Sequence, residues 1–308
     1  MLTGATGFVG RHALTALIEA GHEVHAVARR RGRDPRAIWH EVDLLADCSV
    51  VGDVKPEILV HLAWCAEHRE FWTSLENVRW VEASLALLRG FAAGGGARAV
   101  VAGTCAEYEW SREVYPESAP KRPATLYGAA KHGLQVVACA FAEQVDLSLA
   151  WGRLFFLYGP FEAPGRFVPS LLLPMLRDEP APMTEGSQRR DFLHTADAGA
   201  AFAALADSPV TGAVNVASGS PVTLCALARR IARLLDRDEL LQIGARPMPE
   251  GEPPALVADV RRLREEVGWS PKIGLEAGLR DVIAWWRERA SLGDRVVDSS
   301  ITWSPGNP

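Results

Sequence analysis

The residues Thr3-Gly4-Ala5-Thr6-Gly7-Phe8-Val9-Gly10 constrain this chain more than any other stretch. Glycines 4, 7 and 10 stand directly before a segment in which Val9, Ala13, Leu14, Leu17 and Ile18 recur at helical spacing, and Gly21 ends it. Glycine tolerates the positive φ of a tight turn and lets backbone come close to a ligand. The helix start then offers unpaired N–H groups and a partial positive charge to a phosphate. A strand is predicted next, over 22–28. A glycine loop opening a helix that leads into a strand points to a dinucleotide-binding unit, with Gly4, Thr6, Gly7, Phe8, Val9 and Gly10 at the ligand. Only Met1, Leu2 and Thr3 precede Gly4. Either the first strand is short, or the chain as given starts inside a longer gene product. That spacing leaves no room for a charged and apolar secretory leader, so none is expected.

Further short strands are predicted over 38–42, 58–62, 98–103 and 147–154, with helices over 75–92 and 126–145. Strand and helix in alternation imply the α/β class, with a parallel sheet covered on both faces. Right-handed crossovers make it a Rossmann-type doubly wound sheet. Beyond Gly159-Pro160 the texture changes, with prolines at 160, 164, 169, 174, 180 and 182. A strand over 213–217 and helices over 224–235 and 275–289 are predicted there. Residues 1–155 therefore read as the dinucleotide-binding domain, with a return segment near 190–217. Residues 156–290 read as a smaller, mostly C-terminal α+β substrate region. The tail, 291–308, lacks periodicity.

Composition removes several alternatives. The chain has 308 residues, 48% apolar and 23% charged, which is enough to bury a core without staples. Its net charge of −5 offers no electrostatic grip on nucleic acid or acidic lipid, so neither is an expected partner. No apolar run reaches the roughly 18 residues of a membrane span. Cys48, Cys65, Cys105, Cys139 and Cys225 form no C-x-x-C pair, and an odd count makes a poor disulfide framework. No metal site is expected, and a reducing, cytoplasmic setting is.

The cofactor class follows from what stands after the second strand. An NAD site carries an acid about 20 residues beyond the glycine loop, whereas an arginine there suits a 2′-phosphate. This chain has Arg29-Arg30-Arg31 and no acid. Guanidinium matches phosphate with two parallel hydrogen bonds, so NADP(H) is favoured, with Arg29 and Arg30 as its contacts and NAD(H) as the alternative. Asp43 is placed either to meet the adenine edge or to cap a turn, and Leu44 beside it is a further cofactor candidate.

Tyr127-Gly128-Ala129-Ala130-Lys131 sets a phenol and an ammonium one helical turn apart. A neighbouring ammonium lowers a phenol's pKa, so Tyr127 is expected below its ordinary value. Such a tyrosine can exchange a proton with a carbonyl or alcohol oxygen while hydride moves at the adjacent carbon.

Together these segments resemble the extended short-chain dehydrogenase/reductases of the nucleotide-sugar epimerase/dehydratase family. The resemblance rests on the glycine loop, His61-Leu62-Ala63, Gly103-Thr104-Cys105-Ala106-Glu107-Tyr108, Tyr127 to Lys131, Arg153 to Pro160, and Arg190-Asp191-Phe192-Leu193-His194. It implies that Thr104 bonds the sugar C4 oxygen beside catalytic Tyr127 and Lys131. It implies that Leu62 and Ala63 pass the cofactor, and that Arg190 meets the nucleotide diphosphate. Arg166 is a second candidate for that anion, and Cys105 lies beside the sugar. His194 and Asp197 are expected to be structural, orienting a loop and capping a helix. The family further implies a homodimer formed through the tyrosine-bearing helix and its neighbour.

Departures from the pattern narrow the chemistry. Dehydratases of this kind follow the catalytic hydroxyl with Asp-Glu, where this chain has Cys105-Ala106, and Glu107 stands one place too late. Phe156 occupies the position of a diphosphate-binding Asn. Trp64, Trp72, Trp80 and Trp110 are read first as core and second as stacking surfaces. A reductase of a 4-keto-6-deoxy nucleotide sugar is expected, with an NAD-dependent 4-epimerase as the alternative. A non-catalytic NADP(H) sensor is the remaining reading, and the Tyr-Lys pair argues against it.

Overall fold

The computed structural model describes residues 1–65 and 70–291. Strands β1 (Leu2–Thr3), β2 (His25–Ala28), β3 (Ile38–Glu41), β4 (Ile58–His61) and β5 (Arg98–Thr104) join strands Ser148–Leu154 and Gly212–Val216 in one seven-stranded sheet. From one edge the order is Gly212–Val216, Ser148–Leu154, β5, β4, β1, β2, β3, and every pairing is parallel. The direction of winding reverses at β1, so the crevice beyond the ends of β1 and β4 is the topological switch point where such sheets bind ligands.

Apolar residues on both faces of each central strand explain the layering. On β5, Val100 and Ala102 enter one core while Ala99 and Val101 enter the other. Helices α1 (Gly10–Glu19) and α6 (Thr195–Asp207) cover the first face with Leu14, Leu17, Phe202 and Leu205. The short α2 (Val50–Val54), α3 (Glu76–Ala93) and α4 (Leu126–Gln144) cover the second with Val50, Leu87, Leu88, Phe91 and Leu134. A third cluster gathers α5 (Phe167–Leu176), α7 (Leu224–Leu235) and α8 (Leu275–Ser291) around Leu172, Leu227, Ile231, Val282 and Trp286. Beside it lies a four-stranded sheet of Val222–Thr223, Arg189–Arg190, Ala255–Ala258 and Val114–Tyr115.

Two boundaries depart from the sequence expectation. The strand foreseen over 22–28 starts only at His25. The end of α1 consumes the preceding residues: Gly21, at φ +94, donates to Ile18 O, and His22 N donates back to Leu17 O. That pair of bonds is a left-handed helix stop, which leaves 22–24 as a connector. The last helix runs to Ser291, two residues further than foreseen, with the Ser291 hydroxyl on the Glu288 carbonyl. The rest of the predicted tail lies outside the described residues.

Beyond β5 the chain makes a single 3-10 turn, Cys105–Glu107, whose carboxylate is buried. Glu107 Oε1 accepts from Thr104 N and from Trp151 Nε1, both at 2.9 Å, and Oε2 accepts from Arg153 Nε at 2.6 Å. Arg153 also donates to Gln135 Oε1 on α4, to the Tyr108 hydroxyl and to the Glu117 carbonyl. Removing one member of a buried pair strands the other charge. Glu107→Ala is therefore expected to cost about 3–5 kcal/mol in urea unfolding. A loss below about 1 kcal/mol, the size of an average substitution, would contradict this role.

Candidate active site

The turn after β1 and the turn after β4 meet at the switch point. Gly4 has φ +69, and a Cβ there would lie 2.8 Å from Ala63 N; one on Gly10 would lie 2.0 Å from Gly4 O. No side chain fits at either position, so the two turns touch backbone to backbone. The Thr3 hydroxyl fastens them, accepting from Leu62 N and Ala63 N and bonding His61 Nδ1 at 2.7 Å. Thr6 and Gly7 are exposed, while Phe8 and Val9 are half-buried at the head of α1. Arg11 folds back on the loop and donates to Gly7 O and Thr6 O. Such a glycine turn at the start of a helix is a cradle of the kind a pyrophosphate fits.

Arg29, Arg30 and Arg31 are exposed just past β2, and among the described residues none has an ion-pair partner. Asp43 caps its own turn by accepting from Leu45 N at 3.1 Å. The Leu44 side chain enters the core beneath the sheet.

Thr104 closes β5, and its hydroxyl accepts from Ala106 N at 3.2 Å. Helix α4 starts opposite, capped by Thr125 accepting from Gly128 N. Tyr127 and Lys131 lie on its first turns. The Tyr127 ring meets Phe71 edge-on at 4.9 Å and Trp72 at 5.7 Å, and its amide donates to Trp72 O. These aromatics clamp the phenol at the cleft. Burial pushes Tyr127 up to about 12; hydrogen bonding from Thr104 and the cation of Arg166 act the other way. Lys131 Nζ donates to Ala102 O at 2.9 Å and lies 3.6 Å from the centre of the Trp64 ring. Burial pulls its pKa down to about 7, opposed by Glu107. The expected depression of the phenol by Lys131 is thus not what the structure gives. Desolvation outweighs every lowering influence, and the ammonium faces a carbonyl and an indole.

The neighbours of Thr104 are chemically quiet. Burial pushes the Cys105 thiol up to about 12, and Glu107 is committed to Arg153. Arg166 stands over the Phe71 ring at 5.6 Å on the Tyr127 side of the cleft. Nearby Glu162 is buried, and desolvation raises its carboxyl to about 8 despite Arg166. Arg190 is buried on Glu252, with further bonds to Pro253 O and Arg189 O, and it lies over the Phe156 ring at 5.4 Å. The chain's own carboxylate thus occupies the guanidinium expected to meet a diphosphate. His194 and Asp197 are structural with roles exchanged: His194 caps α6 through Ala196 N, and Asp197 holds the loop at Lys272 and Ile273.

The sequence reads Trp64 and Trp72 as core first, yet Trp64 touches Lys131 and Trp72 touches Tyr127. For Trp64 the position just beyond the β4 end is the available signal. Phe71 and Glu252 carried none, because their contacts depend on loops returning from elsewhere in the chain.

A glycine cradle at the switch point of a parallel seven-stranded sheet, facing a Thr-Tyr-Lys set, defines a Rossmann-type nucleotide-dependent enzyme. The chain belongs to the NAD dependent epimerase/dehydratase family, whose model matches residues 1–217. It is 27% identical over 305 residues to UDP-glucuronic acid decarboxylase 1 of Xenopus tropicalis, covering 94% of this chain and 72% of that protein. It is 23% identical over 332 residues to a probable UDP-glucuronate 4-epimerase of Rhizobium meliloti, covering 93% of this chain and 96% of that one. Among solved structures, MoeE5 in complex with UDP-glucuronic acid and NAD superposes with a TM-score of 0.81 at 29% identity, covering 93% of this chain and 98% of that one. No described helix is long and apolar enough to cross a membrane, and no described cluster of side chains could hold a metal ion.

Proposed function

We propose that this enzyme reduces the C4 carbonyl of a nucleotide-diphosphate sugar, using NADP(H). The observation that carries the reading is the placement of Thr104 at the end of β5 and of Tyr127 on the first turn of α4, held there by Phe71 and Trp72, with burial raising the phenol's pKa. A neutral phenol is the form a proton donor needs at working pH. The nicotinamide, when bound, supplies hydride to C4. Tyr127 then gives its proton to the C4 oxygen, which the Thr104 hydroxyl orients. Arg166 and Lys131 stabilise the phenolate left behind, and solvent returns its proton. The cradle of Gly4, Gly7 and Gly10 with Leu62 and Ala63 would hold the dinucleotide. Residues 156–290 would receive the nucleotide sugar, with Arg166 at its diphosphate and Arg190 joining once Glu252 releases it.

Two further features support reduction. Arg29, Arg30 and Arg31 offer a 2′-phosphate guanidinium partners where an acid would suit NAD. Among the described residues no uncommitted carboxylate adjoins Thr104, so an elimination needing an acid/base pair at that position finds none there. The second reading is an NAD-dependent 4-epimerase, in which the same Tyr127 acts first as base and then as acid. The relatives favour it, since one is a probable 4-epimerase and MoeE5 is seen with NAD.

The outer face of the catalytic helices supports a homodimer. Leu75 (79% exposed) and Val78 at the start of α3 stand out as apolar residues in water, as do Val136 (55%) and Val137 (50%) on α4. Packing α3 and α4 against a second copy would cover them. Val136→Glu with Val137→Glu should convert the dimer to monomer in sedimentation; a wild-type chain already monomeric at about micromolar concentration would refute the arrangement.

Mixed with NADPH and a 4-keto-6-deoxy nucleotide sugar, the enzyme should consume absorbance at 340 nm. Tyr127→Phe should slow this by about 10²–10⁴-fold, the usual contribution of a positioned acid. Interconversion of UDP-glucose and UDP-galactose without net cofactor use would establish the epimerase instead. Arg29→Ala should weaken NADPH by about tenfold or more while sparing NADH, as loss of a charge-assisted phosphate contact requires. Equal weakening of both would remove the 2′-phosphate assignment.

A further inference from the structure

We propose that Trp64 is a positioning residue for Lys131, its indole face holding the buried ammonium charged and aimed at the end of β5. The inference rests on the reading above only in taking Lys131 to serve the reaction.

Lys131 is 4% exposed, and among the described residues it has no ion-pair partner. Its three N–H groups meet one carbonyl, Ala102 O at 2.9 Å, and one ring face, Trp64 at 3.6 Å. One N–H is left for a bound ligand. An ammonium so deeply desolvated discharges unless something favours its charged form. The titratable groups facing it supply little. Glu107, beyond β5, favours the charged form through space, but its oxygens are bonded to Thr104 N, Trp151 and Arg153 and none reaches the ammonium. His61 on β4 is neutral, its pKa pulled down to about 3 by burial and then by Lys131 itself. Tyr127, one turn earlier on α4, is a neutral phenol. The π face of Trp64 therefore adds, at contact distance, attraction that no described carboxylate supplies there, and tryptophan is the strongest ring for this contact.

The ring is built to stay where it is. Trp64 Nε1 donates to Asn77 Oδ1 at 2.8 Å. Asn77 is fully buried, and its amide nitrogen donates to Phe71 O and Ser74 O at 2.7 and 2.8 Å. Trp80 stacks on Trp64 at 6.0 Å. The same Asn77 thus fixes the segment that carries Phe71 and Trp72, so the clamps on the phenol and on the ammonium share one anchor. A tryptophan that served only to fill space would need neither the oriented indole N–H nor the ammonium over its face.

The chain contains four lysines, Lys55, Lys121, Lys131 and Lys272, and Lys131 alone is buried. Its titration can be followed by NMR of protein carrying ¹³Cε-lysine, the resonance being assigned with Lys131→Arg. In Trp64→Leu the Lys131 pKa should fall by about one pH unit, the size of a partly desolvated cation–π contact. In Trp64→Phe, which keeps a weaker ring, it should fall by less. Because the ammonium is lost as pH rises through that pKa, the alkaline limb of kcat/KM should move to lower pH in the same order. An unchanged Lys131 titration in folded Trp64→Phe and Trp64→Leu would overturn the proposal. If Trp64→Leu fails to fold, Trp64→Phe against wild type decides alone. A Lys131 titration that shifts as expected in protein showing no carbonyl reduction would uphold the proposal and reject the reductase reading.

Discussion

One buried ion pair, Glu107 with Arg153, holds together the end of the sheet that carries Thr104. Both side chains are inaccessible, and neither would repay its desolvation by mutual attraction alone. The pair survives in the interior because its oxygens and N–H groups find partners on the end of β5, on Trp151, on α4 through Gln135 and on the Tyr108 hydroxyl. Those partners belong to the elements that must be in register for Thr104 to face Tyr127. The same commitment takes Glu107 out of the chemistry. A carboxylate that could have served elimination beside Thr104 is a structural part, and this links how the strand ends to which reactions the site can run.

Much of this arrangement is legible in the sequence because it rests on local pattern. The period of α7 is strong enough that Leu224–Leu235 is found residue for residue. The glycine cradle is legible because Gly4 and Gly10 admit no other residue, and the Tyr-Lys pair because a helix sets i and i+4 together. What escapes the sequence depends on distant parts of the chain meeting. Glu252 reaches Arg190 across 62 residues, and nothing near either announces it. Asn77 locks Trp64 through a loop that first has to fold back. His194 and Asp197 were legible as structural, but which one capped and which held a loop was decided by where residues 272–273 pass. The connector at 22–24 reads as strand because Val24 continues the alternation of β2, while the helix stop at Gly21 takes up the backbone of His22.

Burial acts on Tyr127 and Lys131 in opposite directions, raising the phenol and lowering the ammonium. Both are thereby driven toward their neutral forms, the common consequence of moving charge from water into protein. For Tyr127 this suits proton donation. For Lys131 it is a hazard, since a neutral amine cannot stabilise a phenolate. The aromatic residues around the pair, Trp64, Phe71 and Trp72, answer both needs. Phe71 and Trp72 pack edge-on against the phenol, and Trp64 offers the ammonium a π surface. Arg166 adds positive charge from the other wall, and its neighbour Glu162, protonated over much of the neutral range, leaves that charge uncancelled.

The central claim is that a bond to hydrogen is made at the sugar C4 beside Tyr127. Reduced dinucleotide carrying deuterium at the nicotinamide C4, incubated with enzyme and a 4-keto nucleotide sugar, tests it most directly by NMR of the product. The account requires deuterium at C4 of the sugar. A reduced sugar bearing deuterium at any other carbon, or none from the labelled cofactor, would contradict it.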